Sequence, residues 1–160
     1  MSKVFVHESA IVDRNDDGTF ACEIGDGTKV WAFSHISRGA KIGKDCVIGE
    51  GVHVGPGVVI GDRVKVQNHA ILYKGVTIGD EVFIGPNVVT TNDLFPRAVG
   101  DWEDRFKKTV IKNGASVGAN ATLVCGITLE EGCMVGAGSV VTKDVPRAAL
   151  VYGNPARMKK

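Results

Sequence analysis

Three of the chain's four histidines, His35, His53 and His69, carry rings that can take up a proton near neutral pH. His69 has the most suggestive neighbours, because Gln67, Asn68 and His69 put two amides and an imidazole in succession. An amide oxygen there can accept an N–H, while the neutral ring beside it receives a proton as a general base. The same three imidazoles could be zinc ligands if they converged, but no two lie within five residues of each other. A second group, Asn92-Asp93-Leu94-Phe95-Pro96-Arg97 followed by Trp102, mixes amide, carboxylate, aromatic and guanidinium groups. That mixture suits a polar, ring-bearing ligand, and the fork of Arg97 would pair a diphosphate or a carboxylate equally well. A third group, Arg157, Lys159 and Lys160, makes a compact cationic terminus that can be a solvated tail or a holder of phosphates.

The elements that must position these groups share one period. Every sixth residue from Ile24 to Ile84 is aliphatic, Thr90 ends the run, and the same phase resumes with Ile111, Val117, Leu123, Leu129, Val135 and Val141. Two residues before each lies a small or β-branched residue, as at Cys22, Thr28, Ser34, Ala40 and Cys46. Inward positions two apart are the periodicity of a short strand. Three residues after most of the aliphatics comes Gly, Asn or Asp, the types that tolerate φ > 0, so each repeat ends in a tight turn. Short strands and turns without a helical segment bury a continuous core only by winding, and hexapeptide periodicity is the signature of a parallel β-helix. The expectation is an all-β domain over 1–160 of about seven triangular coils, three repeats each. Coils stack at about 4.8 Å.

Departures from the period mark what the coils carry. Residues 1–21 form a weaker version of the repeat, broken by the polar run from Asp13 to Gly18, and read as an N-terminal capping coil. Phe33 stands where glycine is usual. His35 and His53 are 18 residues apart and so stack on one outer face, exposed or at a subunit interface. His69 occupies the φ > 0 column, and strain of that kind points toward function. About 15 residues leave the coil between Thr90 and Ile111, giving a projecting loop at about 91–110; such loops are disproportionately functional. Residues 145–160 form a short C-terminal tail.

Nineteen basic and 18 acidic residues leave a net charge of +1, which argues against nucleic acid or a membrane surface as a partner. No apolar run is long enough to span a membrane or serve as a signal peptide. Cys22, Cys46 and Cys133 fall in the small inward column, and Cys125 lacks a CxxC partner. Four reduced structural thiols are expected, hence a cytoplasmic protein without a metal.

The repeats, the looped-out segment, and the pairing of the stretch from Gly138 to Pro146 with Gly153-Asn154-Pro155-Ala156 resemble the left-handed β-helix acyltransferases of the hexapeptide-repeat class. Within it, the stretches Val30–Ile36, Val66–His69 and Thr91–Arg97 are similar to the branch that N-acetylates nucleotide-linked amino sugars. The resemblance implies left-handed winding, a homotrimer with acetyl-CoA between subunits, and a UDP- or dTDP-linked acceptor, most often a 3-amino sugar, for surface polysaccharide. A catalytically silent scaffold would leave the ornate loop without a purpose.

Acetyl transfer to an amine needs a free lone pair, a stabilised oxyanion and a destination for the proton. Asn68 is expected to aim the amine and His69 to act as base, with the departing sulfur as the competing proton acceptor and positioning supplying much of the rate. An oxyanion donor would be a backbone N–H near Gly85. The resemblance runs the pantetheine arm past Ala115, Gly136 and Ala137, with adenine and 3′-phosphate near Lys143, Asn154, Pro155, Arg157 and Lys159. Tyr73, Lys74, Asn92, Asp93, Phe95 and Arg97 are the candidates for the sugar nucleotide. An O-acetyltransferase on a sugar or serine hydroxyl is the alternative; it would depend more strongly on His69.

Overall fold

The computed structural model describes residues 3–101 and 103–159, so Trp102 and Lys160 lie outside the described residues. The chain winds as a left-handed parallel β-helix with three faces. The first face has nine strands, from Phe5–Val6 to Ala156–Met158; the second has seven, from Ile11–Val12 to Val140–Val141; the third has six, from Glu23–Ile24 to Thr128–Leu129. Strands of mostly two residues suffice because each pairs in parallel with the coils on either side. Lys65 lies between Val47 and Phe83, each 18 residues away.

Within each strand one residue faces out and the next faces in, so the aliphatic column fills the coil interior. Ile36, Ile48, Leu72, Ile84, Leu123 and Leu129 are fully buried, and the small column of Ala40, Cys46, Ala70, Ala115 and Ala121 interleaves with them. Cys46, Cys125 and Cys133 are buried, Cys22 is half-buried, and all four thiols are free. Burial raises the Cys133 thiol to about 11.

Three corners join the faces, and in each the third residue is left-handed. Positive φ occurs at Gly27, Gly39, Gly51, Gly57, Gly114, Gly132 and Gly138, and equally at Phe33, Asp45, Arg63, His69, Glu81, Asn87 and Asn120. His69, at φ 60, is therefore ordinary for its column, and its backbone does not single it out as functional.

Two segments leave the coil, both at the second corner, between the second and third faces. Phe5 pairs with Lys29 and Ile11 with His35, 24 residues apart instead of 18, so the polar run after Asp13 carries six extra residues, with Arg14 bridging Phe20. Val76 pairs with Thr109, 33 apart instead of 18, which gives the projecting loop fifteen. At the C-terminus, Leu150–Gly153 turns back onto Ala156–Met158 through a cis Asn154–Pro155 peptide and closes the first face antiparallel.

Candidate active site

Asn68 and His69 sit together at the first corner, between the first and second faces, both exposed. The ring of His69 lies over Gly51, one coil earlier. A Cβ built on Gly51 would run into Nδ1 and come within 2.8 Å of Cε1 and 3.5 Å of Cγ. The Nδ1 edge therefore packs on the bare α-carbon, and Nε2 is the nitrogen farther out. Gly49 does the same for Asn68, since its Cβ would stand 2.6 Å from Oδ1. Among the described residues the imidazole of His69 has no hydrogen-bond partner, which leaves it open to a ligand.

Asn68 has a structural duty as well as an exposed one. Its Oδ1 accepts the backbone N–H of Glu50 at 3.1 Å. At the third corner Asp62, Asp80 and Asn113 do the same, accepting from Lys44, Asp62 and Asp80 at 2.7, 2.8 and 2.9 Å. An Asx side chain at the middle of a corner thus ties down the coil before it. The expectation that Asn68's carbonyl aims an amine has to share that oxygen with Glu50; its second lone pair remains.

The same ladder explains which backbone donors are free. The residue above Asn68 is Pro86, which carries no acceptor side chain, so the N–H of Asn68 finds no partner among the described residues. The N–H groups of Ala119 and Ala137, stacked farther along the corner, are likewise without a partner among the described residues. Gly85 does not fit the part of oxyanion donor: it is buried, and its N–H donates to Val117 O at 2.8 Å. Asn68 N–H is the open donor beside His69.

Of the expected cofactor residues, Gly136 and Ala137 continue this corner toward the C-terminus. The turn holding Asn154 and Pro155 lies over it, tied by Gly153 N–H to Ser139 Oγ at 3.1 Å. Ala115 does not fit the part: the residue is in the core at 0% exposure, and its backbone is taken up by Lys112 O and Phe83 N–H, so nothing of it faces a ligand. Lys143 and Arg157 share a recess of about 260 Å³ at the open end of the last coil, with Val141, Val145 and Val151 as its floor. Lys159 is exposed beside that end, its N–H bonded to Leu150 O at 2.9 Å.

The loop residues gather at the second corner, across the second face from His69. Tyr73, Asn92, Asp93 and Arg97 line a recess of about 290 Å³ with Pro96 and Phe106. Lys74 stands 5.7 Å from the Phe106 ring. Phe95, 71% exposed, does not line the recess. Asp93 is largely occupied within the loop, its carboxylate pairing with Arg105 at 3.3 Å and accepting Phe95 N–H at 2.8 Å. Arg105 and Phe106 were not among the sequence candidates, since nothing periodic marks them.

The second face between the two clusters carries a row of polar rings. His35 Nε2–H donates to Asp13 Oδ1 at 3.0 Å. That hydrogen bond, with another from Arg38 N–H at 2.8 Å, holds the Asp13 carboxyl below the usual range. His35 and His53 stack edge-on at 5.4 Å, as the 18-residue spacing predicts, and His53 meets Tyr73 at 6.2 Å. Burial, then the neighbouring His35, pushes the His53 imidazole down. Among the described residues no group of three or more His, Cys, Asp or Glu is arranged to hold a metal ion, and no helix is long and apolar enough to cross a membrane.

Comparison with known proteins places these features in context. The model for bacterial transferase hexapeptide, six repeats, matches residues 21–56, 57–92 and 108–143, and that for the hexapeptide repeat of succinyl-transferase matches 39–74. The chain is 47% identical over 155 residues to the dTDP-3-amino-3,6-dideoxy-alpha-D-galactopyranose 3-N-acetyltransferase of Aneurinibacillus thermoaerophilus, covering 97% of this chain and 77% of the other. A hexapeptide-repeat acetyltransferase of Vibrio cholerae, solved with acetyl coenzyme A, superposes with a TM-score of 0.58 at 30% identity, covering 76% of this chain and 70% of the other. The acetyltransferase domain of PglB from Neisseria gonorrhoeae, also solved with acetyl coenzyme A, shares the fold at a TM-score of 0.64 and 23% identity, covering 98% of this chain and 57% of the other.

Proposed function

Because the chain belongs to the bacterial hexapeptide-repeat transferases, we propose that it moves the acetyl group of acetyl-CoA to the amino group of a nucleotide-linked amino sugar. The observation that carries the reading is 47% identity across 97% of the chain to an enzyme acting on a dTDP-3-amino sugar. The acceptor is accordingly a 3-amino sugar on dTDP or UDP, destined for surface polysaccharide. The work is cytoplasmic, in keeping with four free thiols.

The chemistry follows from the first corner. The amine lone pair attacks the thioester carbon, and the carbonyl oxygen takes up negative charge. Asn68 N–H, left open by Pro86, donates to that oxygen; one such donor contributes about 3–4 kcal/mol to the transition state. As the C–S bond breaks, the surplus amine proton passes to His69 Nε2 and the sulfur leaves as thiolate, which regains a proton from the ring or from water. Asn68 Oδ1 accepts a second amine N–H and holds the lone pair on line. The pantetheine arm runs along the first corner, where the N–H groups of Ala119 and Ala137 are free for its amide oxygens. Lys143, Arg157 and Lys159 receive the phosphates at the end of the coil.

His69 and the loop recess stand at opposite edges of one face. We propose a homotrimer in which a head-to-tail contact brings the loop of one copy to the first corner of the next; closed heterologous contacts of this kind make rings. Tyr73, Asn92 and Arg97 of the loop then meet the acceptor held against the neighbour's Asn68.

Thiol release from acetyl-CoA against a panel of UDP- and dTDP-linked 3-amino and 4-amino sugars tests the reaction. Release with one amino sugar supports it. Release only with a hydroxyl acceptor would make the protein an O-acetyltransferase.

A further inference from the structure

Trp31 stands two coils before Asn68 on the first-corner side and has no part in the chemistry above. The residue is 43% exposed, and Phe5 packs against its ring at 5.4 Å between centroids, tilted by 58°. Trp31 lines a recess of about 350 Å³ together with Ala32, Val47 and Gly49, and His7, Glu50, Gln67 and Asn68 supply its polar groups. Trp31 and Gln67 occupy the same column 36 residues apart, hence two coils or about 10 Å along the axis. The recess thus runs from an aromatic shelf to the residue placed beside the amine.

Resting on the sugar-nucleotide reading, we propose that this recess seats the pyrimidine base of the acceptor, stacked on Trp31. A rigid, half-exposed indole offers one free face to a flat ring, and base stacking is indifferent to what the base is. The edge is read by the polar wall. Glu50 has no ion pair among the described residues, and an ionised carboxylate only accepts, so it takes the imide N–H of thymine or uracil. The Gln67 amide supplies a donor for the adjacent carbonyl. The same carboxylate repels phosphate, which directs the diphosphate out of the recess toward Asn68, leaving the sugar at His69. The base of CoA is kept elsewhere by its phosphates, which have their cations at the far end of the coil.

Calorimetric titration with dTDP and UDP, with CoA already saturating its own site, tests the assignment without any turnover. Wild-type protein is expected to bind both dTDP and UDP. Trp31→Ala should weaken dTDP by about 5- to 150-fold, the range for losing one base stack, while Trp31→Phe stays within a few-fold and the KM for acetyl-CoA is unchanged in both. Glu50→Gln, a change at an exposed side chain, should weaken dTDP and UDP, because the imide N–H loses its charged acceptor. This arm stands even if Trp31→Ala does not fold. The proposal is overturned if wild-type protein does not bind dTDP, if Trp31→Ala binds it within twofold of wild type, or if the loss falls on acetyl-CoA. Trp31-dependent dTDP binding with no acetyl transfer to any amino sugar would sink the proposed reaction and leave the base site standing.

Discussion

Gly51 allows the position of the His69 ring to be tested without altering the ring. Gly51→Ala places a methyl group where Nδ1 now packs. Gly132→Ala is a matched control: both glycines have φ +64, and nothing lies within 4 Å of the Cβ built at Gly132, which sits at the third corner. An L-residue in the left-handed region costs about 1–2 kcal/mol, so both variants should lose about that much in urea unfolding. Only Gly51→Ala must move the imidazole. A well-placed general base contributes about 10²–10⁴-fold, so kcat/KM should fall at least about 100-fold in Gly51→Ala and stay near wild type in Gly132→Ala. The assay is thiol release with the preferred amino sugar. Equal turnover in the two variants, at equal stability, would refute the reasoning, because the ring's place would then not matter and the departing sulfur would be the proton acceptor.

Other consequences can be checked separately. If each site joins one copy's first corner to its neighbour's loop, co-expressing inactive Asn68→Ala/His69→Ala chains with inactive Arg97→Ala chains should restore about a quarter of wild-type activity, the share of randomly formed interfaces carrying both intact halves; hybrids as silent as their parents would place each site within one chain. The folded state holds the His53 imidazole below its ordinary value of 6.5. As pH falls through that value the unfolded chain binds a proton that the folded chain resists, so stability drops on acidification down to the folded pKa. Melting temperatures across this window should fall more steeply in wild type than in His53→Gln. The buried thiols of Cys46, Cys125 and Cys133 should stay silent toward a thiol reagent until the protein is unfolded, leaving Cys22 as the only background in the turnover assay.

The winding, the inward columns and the left-handed turns were legible in the sequence because each is repeated and each repeat is a separate witness. Ala115 shows the rule outrunning its use: it lies two residues before Val117, the inward small position, and is buried as that spacing requires. His69 drew attention for a backbone state that Phe33, Arg63 and Glu81 share; what sets it apart is the glycine 18 residues earlier, visible only when the coils are laid over one another. The double duty of Asn68 becomes clear by comparison with Asp62 and Asp80, and the free N–H by noticing that Pro86 ends the ladder. The loop had no period to read. Its staple, Asp93 with Arg105, joins residues brought together only by the loop's own folding.

Both excursions, the six-residue hairpin and the fifteen-residue loop, depart from the second corner and return without shifting a single pairing on the faces. The first corner, which carries the reacting groups, passes through every coil uninterrupted. The molecule thereby keeps one seam fixed and another open to grafting. A longer, shorter or differently composed segment spliced between Thr90 and Thr109 would retune which acceptor is welcomed, while the geometry of the transfer itself stays untouched.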